Sequence, residues 1–203
     1  PGERQFVISP LECLLAGDGD AVAPAVGLFV ERAEGFFSGS HLDAASLQTV
    51  GEICAAIDGL PLAIELVAAR AGSLGIEGIR SRLGQRLDLA AAPHRAGEQR
   101  HRSLREVIDW SYSLLSPDAQ VLFARLSCLR GGFTVEHAEH MWPEWSGVRT
   151  LDAFEELNRH SLLHRIDAHG VPRFRQLDTV WDFANEKLTQ AGESEDAYLR
   201  LVD

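Results

Sequence analysis

The sequence predicts a mainly α-helical fold: a four-helix bundle followed by a second helical domain that ends in one β-hairpin. Three observations predict it. Apolar residues recur at helical spacing through the first half of the chain, and the same spacing resumes in the second half after a stretch without it. Near the C-terminus, two short segments of strand-like pattern flank Asp167–Gly170, a turn sequence typical of a hairpin.

Length and composition allow two small domains. The chain has 203 residues, of which 45% are hydrophobic, so each half has enough apolar sequence to bury a core. We predict an initial strand-like remnant over 1–15, a helical domain over 16–90, a linker without apolar periodicity over 91–103 and a second domain over 104–203. Within the first stretch, Pro1–Leu11 has the pattern of a short strand ending in a proline turn.

The helical domain is predicted to contain four helices. Pro24 begins the first, which runs to Ala33 after a Gly/Asp loop over 16–23. Asp43 or Ser46 caps the second helix. Its apolar stripe consists of Leu47, Val50, Ile53, Cys54 and Ile57.

A corner of Gly59, Leu60 and Pro61 separates the second helix from the third. Glycine adopts the left-handed conformation that closes a helix C-terminus, and proline suits the first position of the next helix. The third helix continues towards Arg70, and a fourth amphipathic segment ends near Asp88.

The second domain begins with a helix that resumes the apolar pattern. Ser116 and Pro117 predict the cap and first residue of the next helix, which ends at Gly131-Gly132. Thr134 caps a further helix, and another is predicted over roughly 152–162.

A hairpin and a final helix complete this domain. The predicted strands are 161–166 and 173–177, and the final helix spans 179–188. Three helices followed by a hairpin describe a winged helix. The sequence therefore predicts a four-helix-like bundle followed by a winged-helix domain.

The corner carries a family resemblance. Asp58–Leu66, which reads DGLPLAIEL, closely resembles the GLPLA motif of the NB-ARC and related STAND nucleotide-switch ATPases. In that family the motif begins a helical domain behind the P-loop core, and its proline lies against the bound adenine nucleotide. The resemblance implies that Gly59, Leu60 and Pro61 bind ADP or ATP when the core is present.

Other stretches resemble the branch of that family formed by SARP-type and large LuxR-type bacterial transcriptional regulators. In that branch a segment similar to Pro1–Leu11 follows the last strands of the P-loop core. The resemblance thus implies that residues 1–15 are a remnant of the core edge and that the chain begins after the core. The remaining matching stretches are Ala25–Ala33, Leu104–Leu115, Gly131–Phe133 and Arg173–Val180.

The resemblance implies a cytoplasmic regulatory segment that closes on a nucleotide-bound P-loop core and relays the ADP or ATP state to effector domains. Its implied partners are its own core and effector domains, with further protein partners or self-association. In NB-ARC proteins the winged helix carries an MHD motif whose histidine reaches the β-phosphate. Leu177 stands at the position of that histidine.

The sequence lacks the phosphate-binding residues of a P-loop ATPase. It contains no GxxxxGK[ST] string, and Lys187, its one lysine, has no glycines around it. No apolar strand ends in paired acids that would hold magnesium. We therefore expect the chain alone to be no enzyme and to bind neither ADP nor ATP tightly, nucleotide being a cofactor of the longer parent protein.

Charge argues against a large nucleic-acid surface, because the net charge is −11. The arginines over 95–105 are interpreted as part of a solvated linker. In the predicted recognition helix, Asp152, Glu155 and Glu156 would repel phosphates. We expect no direct specific DNA binding. The alternative is a winged-helix DNA-binding transcription factor with a helical accessory domain, and a third reading is a scaffold for protein partners.

Cysteine and histidine patterns predict no further chemistry. Reduced core thiols are predicted for three widely spaced cysteines, Cys13, Cys54 and Cys128. Two histidine pairs have helical spacing without a third ligand, so we expect no metal at His137 and His140 or at His160 and His164. No apolar run approaches 18 residues, so no membrane partner is expected.

Overall fold

The computed structural model describes residues 9–13, 22–33, 42–88, 96–145, 147–168 and 171–201. Within these ranges the chain is mainly α-helical with one antiparallel hairpin, which confirms the predicted fold class. It divides into two compact units, 1–107 and 108–203. Most of the predicted initial strand, most of the 16–23 loop and residues 91–95 of the predicted linker lie outside the described residues.

The first unit contains the four helices that the sequence predicts for its helical domain. The division between the units falls inside a fifth helix. The helices are α1 (Pro24–Ala33), α2 (Ala44–Ala56), α3 (Pro61–Ala68), α4 (Ala71–Asp88) and α5 (Ala96–Ser113).

The core of the first unit forms where α1 packs against α2 and α3, and where α2 packs against α4. Burial follows most of the apolar stripe predicted for α2, since Val50, Ile53, Cys54 and Ile57 are buried and Leu47 is half-buried. The largest fully buried aliphatic and aromatic side chains are Phe29, Ile53, Ile57, Ile64, Leu66 and Ile79.

Two features of the first unit differ from the prediction. Gly75 interrupts α4 with a φ of 66° and a ψ of 166°, a conformation open almost only to glycine. Helix α5 begins at Ala96, so residues 96–103 of the predicted linker are helical. A linker prediction based on lost apolar periodicity misses a helix rich in good helix formers such as alanine, glutamate, glutamine and arginine.

The second unit has the element order of a winged helix. After the end of α5 come α6 (Pro117–Arg125), a short 3-10 helix (Leu126–Cys128), α7 (Val135–Met141), α8 (Gly147–Arg159), β1 (His164–Ala168), β2 (Val171–Arg175), α9 (Asp178–Gln190) and α10 (Ser194–Leu199).

The hairpin pairs β1 with β2 in antiparallel register, with His164 opposite Arg175. Phe133 extends this pairing, because it exchanges two backbone hydrogen bonds of 2.8 Å with Phe174. Helix α8 packs against this sheet through Phe154, whose ring centroid lies 4.8 Å from that of Phe174 and 6.1 Å from that of Phe133.

The three predicted N-caps are confirmed. The Asp43 carboxylate accepts from the Ser46 amide at 2.8 Å, so Asp43 is the cap of α2. Ser116 Oγ accepts from the amide of Ala119. At α7, Thr134 Oγ1 accepts from the amide of His137, and His137 Nδ1 accepts from the Thr134 amide. The last pair forms a capping box with histidine at its third position.

Two helix limits in the second unit were predicted wrongly. Helix α8 begins at Gly147, not at Asp152. The prediction misses this start because the first turns bury the polar Thr150 and expose the apolar Val148 and Leu151, so no inward apolar period marks them. Helix α6 ends at Arg125 instead of continuing to Gly131-Gly132. After Arg125 the chain tightens into the 3-10 helix. In this helix the Ser127 hydroxyl and the Cys128 thiol each donate to the carbonyl three residues earlier.

Candidate functional site

The Asp58–Pro61 corner, which carries the sequence resemblance, is closed by backbone hydrogen bonds. The Asp58 amide donates to the Ala55 carbonyl at 3.0 Å, and the Gly59 amide donates to the Cys54 carbonyl at 2.9 Å. These are the two bonds of a Schellman motif. Both Asp58, with a φ of 58°, and Gly59, with a φ of 62°, are left-handed. Aspartate therefore stands where a glycine is usual.

A preceding segment of the chain packs directly on Gly59. The Leu11 amide donates to the Gly59 carbonyl at 2.9 Å. A Cβ atom on Gly59 would lie 2.3 Å from the Leu11 carbonyl oxygen and 3.0 Å from Cys13 Sγ. Glycine is thus required here both for its backbone conformation and for the space that a side chain would occupy.

Helix α5 holds the corner from another direction. Ser103 Oγ donates to the Asp58 carboxylate at 2.9 Å, and Ser103 is buried. This bond fixes a left-handed aspartate, a conformation that costs a residue with a side chain about 1–2 kcal/mol. The corner is consequently joined to both the 9–13 segment and α5.

Removal of the Ser103 hydroxyl should loosen this connection. We expect Ser103→Ala to destabilise the first unit by about 1–2 kcal/mol, because a partly buried carboxylate loses a donor. Urea denaturation followed by far-UV circular dichroism measures the loss. Ser73→Ala is the control, since Ser73 lies in the same unit and its hydroxyl donates to the Arg70 carbonyl only three residues earlier.

A double-mutant cycle tests whether Asp58 is the residue through which Ser103 stabilises the unit. In an Asp58→Gly background, where the acceptor is absent, Ser103→Ala should cost much less than in the unsubstituted protein. Equal costs in both backgrounds would show that the stabilising partner of Ser103 is not Asp58.

Pro61 lies at the first position of α3 and is exposed. Leu60 precedes it in an extended conformation, and its carbonyl accepts from the Ile64 amide at 2.9 Å. The residues that follow on α3 are largely buried, with Ile64 and Leu66 at 0% exposure. The corner therefore presents a rigid apolar ring at the surface of the first unit.

Leu177, the other residue predicted for a nucleotide site, belongs to the second unit. It is the N-cap of α9, and its carbonyl accepts from the Trp181 amide at 2.7 Å. The neighbouring Gln176 is buried and donates to the Phe123 carbonyl. A leucine side chain offers phosphate neither a charge nor a hydrogen bond, and the one contact described for Leu177 here is the backbone bond that begins α9.

Cys54, Cys128 and His137 take structural positions. Burial raises the pKa of Cys54 to about 12 and that of Cys128 to about 11, so both are poor nucleophiles at neutral pH. His137 serves the α7 cap. Among the residues that the structure describes, no cluster of three or more potential metal ligands occurs. None of the described helices has the length and apolar character needed to cross a membrane.

Sequence comparisons find relatives over most of the chain. Over 177 residues, 84% of this chain, it is 39% identical to a Mycobacterium tuberculosis protein named "Putative HTH-type transcriptional regulator" and covers 20% of that protein. Over 197 residues, 96% of this chain, it is 34% identical to a Mycobacterium bovis protein named "Uncharacterized protein", of which it covers 48%.

These matches concern parts of larger proteins. The chain spans less than half the length of the curated relatives it matches. No protein-family model matches it.

Proposed function

We propose that this chain is the helical and winged-helix segment of a STAND-type bacterial transcriptional regulator. Similarity to a protein named as an HTH-type regulator supports a regulatory, transcription-factor-like role. The finer assignment rests on the GLPLA-like sequence at Gly59–Ala63. The observation that carries it is Pro61, an exposed ring on a corner that two hydrogen bonds fix to other parts of its unit.

In this proposal the segment closes on a P-loop core that holds ADP and reorients when ATP replaces it. Pro61 and Leu60 supply an apolar wall for the adenine ring, while the core supplies the phosphate cradle that this sequence lacks. Hydrolysis belongs to the core. Movement at Pro61 reaches the 9–13 segment through Leu11 and reaches α5 through Ser103, which provides a route to effector domains.

The test compares two prolines that begin helices. Pro61 and Pro117 are both exposed, and each lies in the first turn of its helix. Replacing either by alanine should lower the free energy of unfolding by about 0.4–1 kcal/mol, because the unfolded chain gains conformational freedom. In the full-length parent, Pro61→Ala should also speed ADP release by roughly fivefold, the effect of losing about 1 kcal/mol of apolar contact.

Stopped-flow release of fluorescent ADP measures this rate, and Pro117→Ala is the matched control. If Pro61→Ala releases ADP no faster than Pro117→Ala does, Pro61 is a structural corner and the nucleotide proposal loses its main support.

A second candidate function is duplex binding through the hairpin. Arg165 and Arg175 are exposed on its two strands, and cations on a wing suit phosphate contacts. The exposed acids Asp152 and Glu155 on α8 oppose this function, because α8 is the helix that would enter the groove. We therefore favour the nucleotide-switch proposal.

A further inference from the structure

The outward face of α8 carries uncovered apolar residues. Val148 is 71% exposed and Leu151 is 44% exposed. With Asp152 and Glu155, which are also exposed, they follow the spacing i, i+3, i+4 and i+7, and so form one stripe along the helix. We call these four residues the α8 stripe.

The opposite face fixes the orientation of this helix. Phe154 and Leu157 are buried in the second unit, and Phe154 packs edge-on against Phe133 and Phe174. Helix α8 cannot turn to bury the stripe without withdrawing these side chains from the core. The stripe is therefore a stable feature of the folded unit.

The charged residues on and beside the α8 stripe differ in whether their side chains have partners within the second unit. Arg149 bonds Asp118 through two contacts of 2.6 and 2.8 Å and lies 3.9 Å from the Trp145 ring centroid. Glu156 accepts from both the amide and the hydroxyl of Ser116. In contrast, the carboxylates of Asp152 and Glu155 make no hydrogen bond or ion pair with any residue that the structure describes.

A cleft of about 290 Å³ adjoins the stripe between the beginnings of α6 and α8. Its lining combines the apolar side of the stripe with carboxylates and has room for one long side chain. The lining residues are Ser116, Asp118, Val148, Arg149, Asp152, Ala153 and Glu156.

We propose that the α8 stripe binds a protein segment in which leucine-like residues alternate with lysine or arginine on one face of a short helix. The apolar residues would cover Val148 and Leu151, and the cations would pair with Asp152 and Glu155. Duplex DNA fits poorly because its phosphates would meet these carboxylates. A second copy of the chain, with its net charge of −11, would bring acid against acid across a symmetric contact.

This inference rests on the second unit alone and stands whether or not the parent binds nucleotide. The probe is a fluorescent amphipathic peptide with leucines at i, i+3 and i+7 and arginines at i+4 and i+8. One control peptide replaces arginine by glutamate, and another replaces leucine by serine. Binding to the whole chain is followed by anisotropy and by amide chemical shifts.

The basic peptide should bind, shift the amides of 147–156 and weaken at least fivefold when salt rises from 50 to 300 mM, as expected for exposed ion pairs. The double variant Asp152→Asn/Glu155→Gln and the single variant Leu151→Ser should each weaken binding at least fivefold. Both variants change exposed side chains, and circular dichroism checks that they fold.

Matched controls lie on α10. Leu199→Ser removes an apolar side chain that is 60% exposed, and Glu195→Gln removes an exposed acid, and neither should change binding. The proposal fails if the basic peptide does not bind, if the α8 and α10 variants weaken it equally, or if the glutamate peptide binds as well. It also fails if duplex DNA, and not the peptide, shifts the α8 amides.

Discussion

Replacing Gly59 by alanine is expected to destabilise the first unit by roughly 3 kcal/mol or more. The left-handed backbone alone costs a residue with a side chain about 1–2 kcal/mol. The new Cβ would also lie 2.3 Å from the Leu11 carbonyl oxygen, a backbone atom that a rotamer change cannot move. Relief requires the 9–13 segment to shift, which breaks the 2.9 Å bond between Leu11 and Gly59.

Gly192 is the matched control for this substitution. It follows α9 with a φ of 72°, and nothing lies within 4 Å of an added Cβ. Gly192→Ala should therefore show the backbone cost without the steric cost, about 1–2 kcal/mol. Far-UV circular dichroism in urea measures both variants. Equal losses would mean that the 9–13 segment does not pack on the corner as described.

Replacing Phe154 by alanine is expected to cost about 3–5 kcal/mol, the usual effect of deleting a buried phenylalanine ring. The ring is 3% exposed and joins α8 to both Phe133 and Phe174. The variant should lose the native tryptophan signal at lower urea than the parent chain, because all four tryptophans of the sequence lie in the second unit.

Val148→Ala provides the comparison on the same helix. Val148 is 71% exposed, so its truncation should change the free energy of unfolding by no more than about 0.5 kcal/mol. A loss for Phe154→Ala as small as that for Val148→Ala would contradict the aromatic packing of α8 on the hairpin.

Helix starts with polar caps could be predicted because their chemistry is local. Ser116, Thr134 and Asp43 each accept from an amide three residues later, so the sequence itself contains both partners. The limits of α8 and α5 could not be predicted in the same way. Their first turns have exposed or polar residues, so no apolar period marks them.

The sequence predicts the Gly59–Pro61 break between two helices but not the contacts that this corner makes. The sequence indicates the Gly59–Pro61 corner because glycine and proline have fixed backbone preferences. Nothing in the sequence pairs Asp58 with Ser103, which lies 45 residues away. Phe133 and Phe174 are likewise separated by many residues, so their backbone pairing becomes visible only once the chain is folded.

The Asp58-Gly59 corner also affects how the protein ages chemically. An aspartate followed by glycine is prone to rearrange to isoaspartate, because the glycine nitrogen attacks the side-chain carbonyl and closes a succinimide ring. In the folded unit the Gly59 amide donates to the Cys54 backbone carbonyl, and the Asp58 carboxylate accepts a hydrogen bond from the Ser103 hydroxyl. Both reacting groups are therefore restrained, and folding itself protects this dipeptide from slow covalent damage.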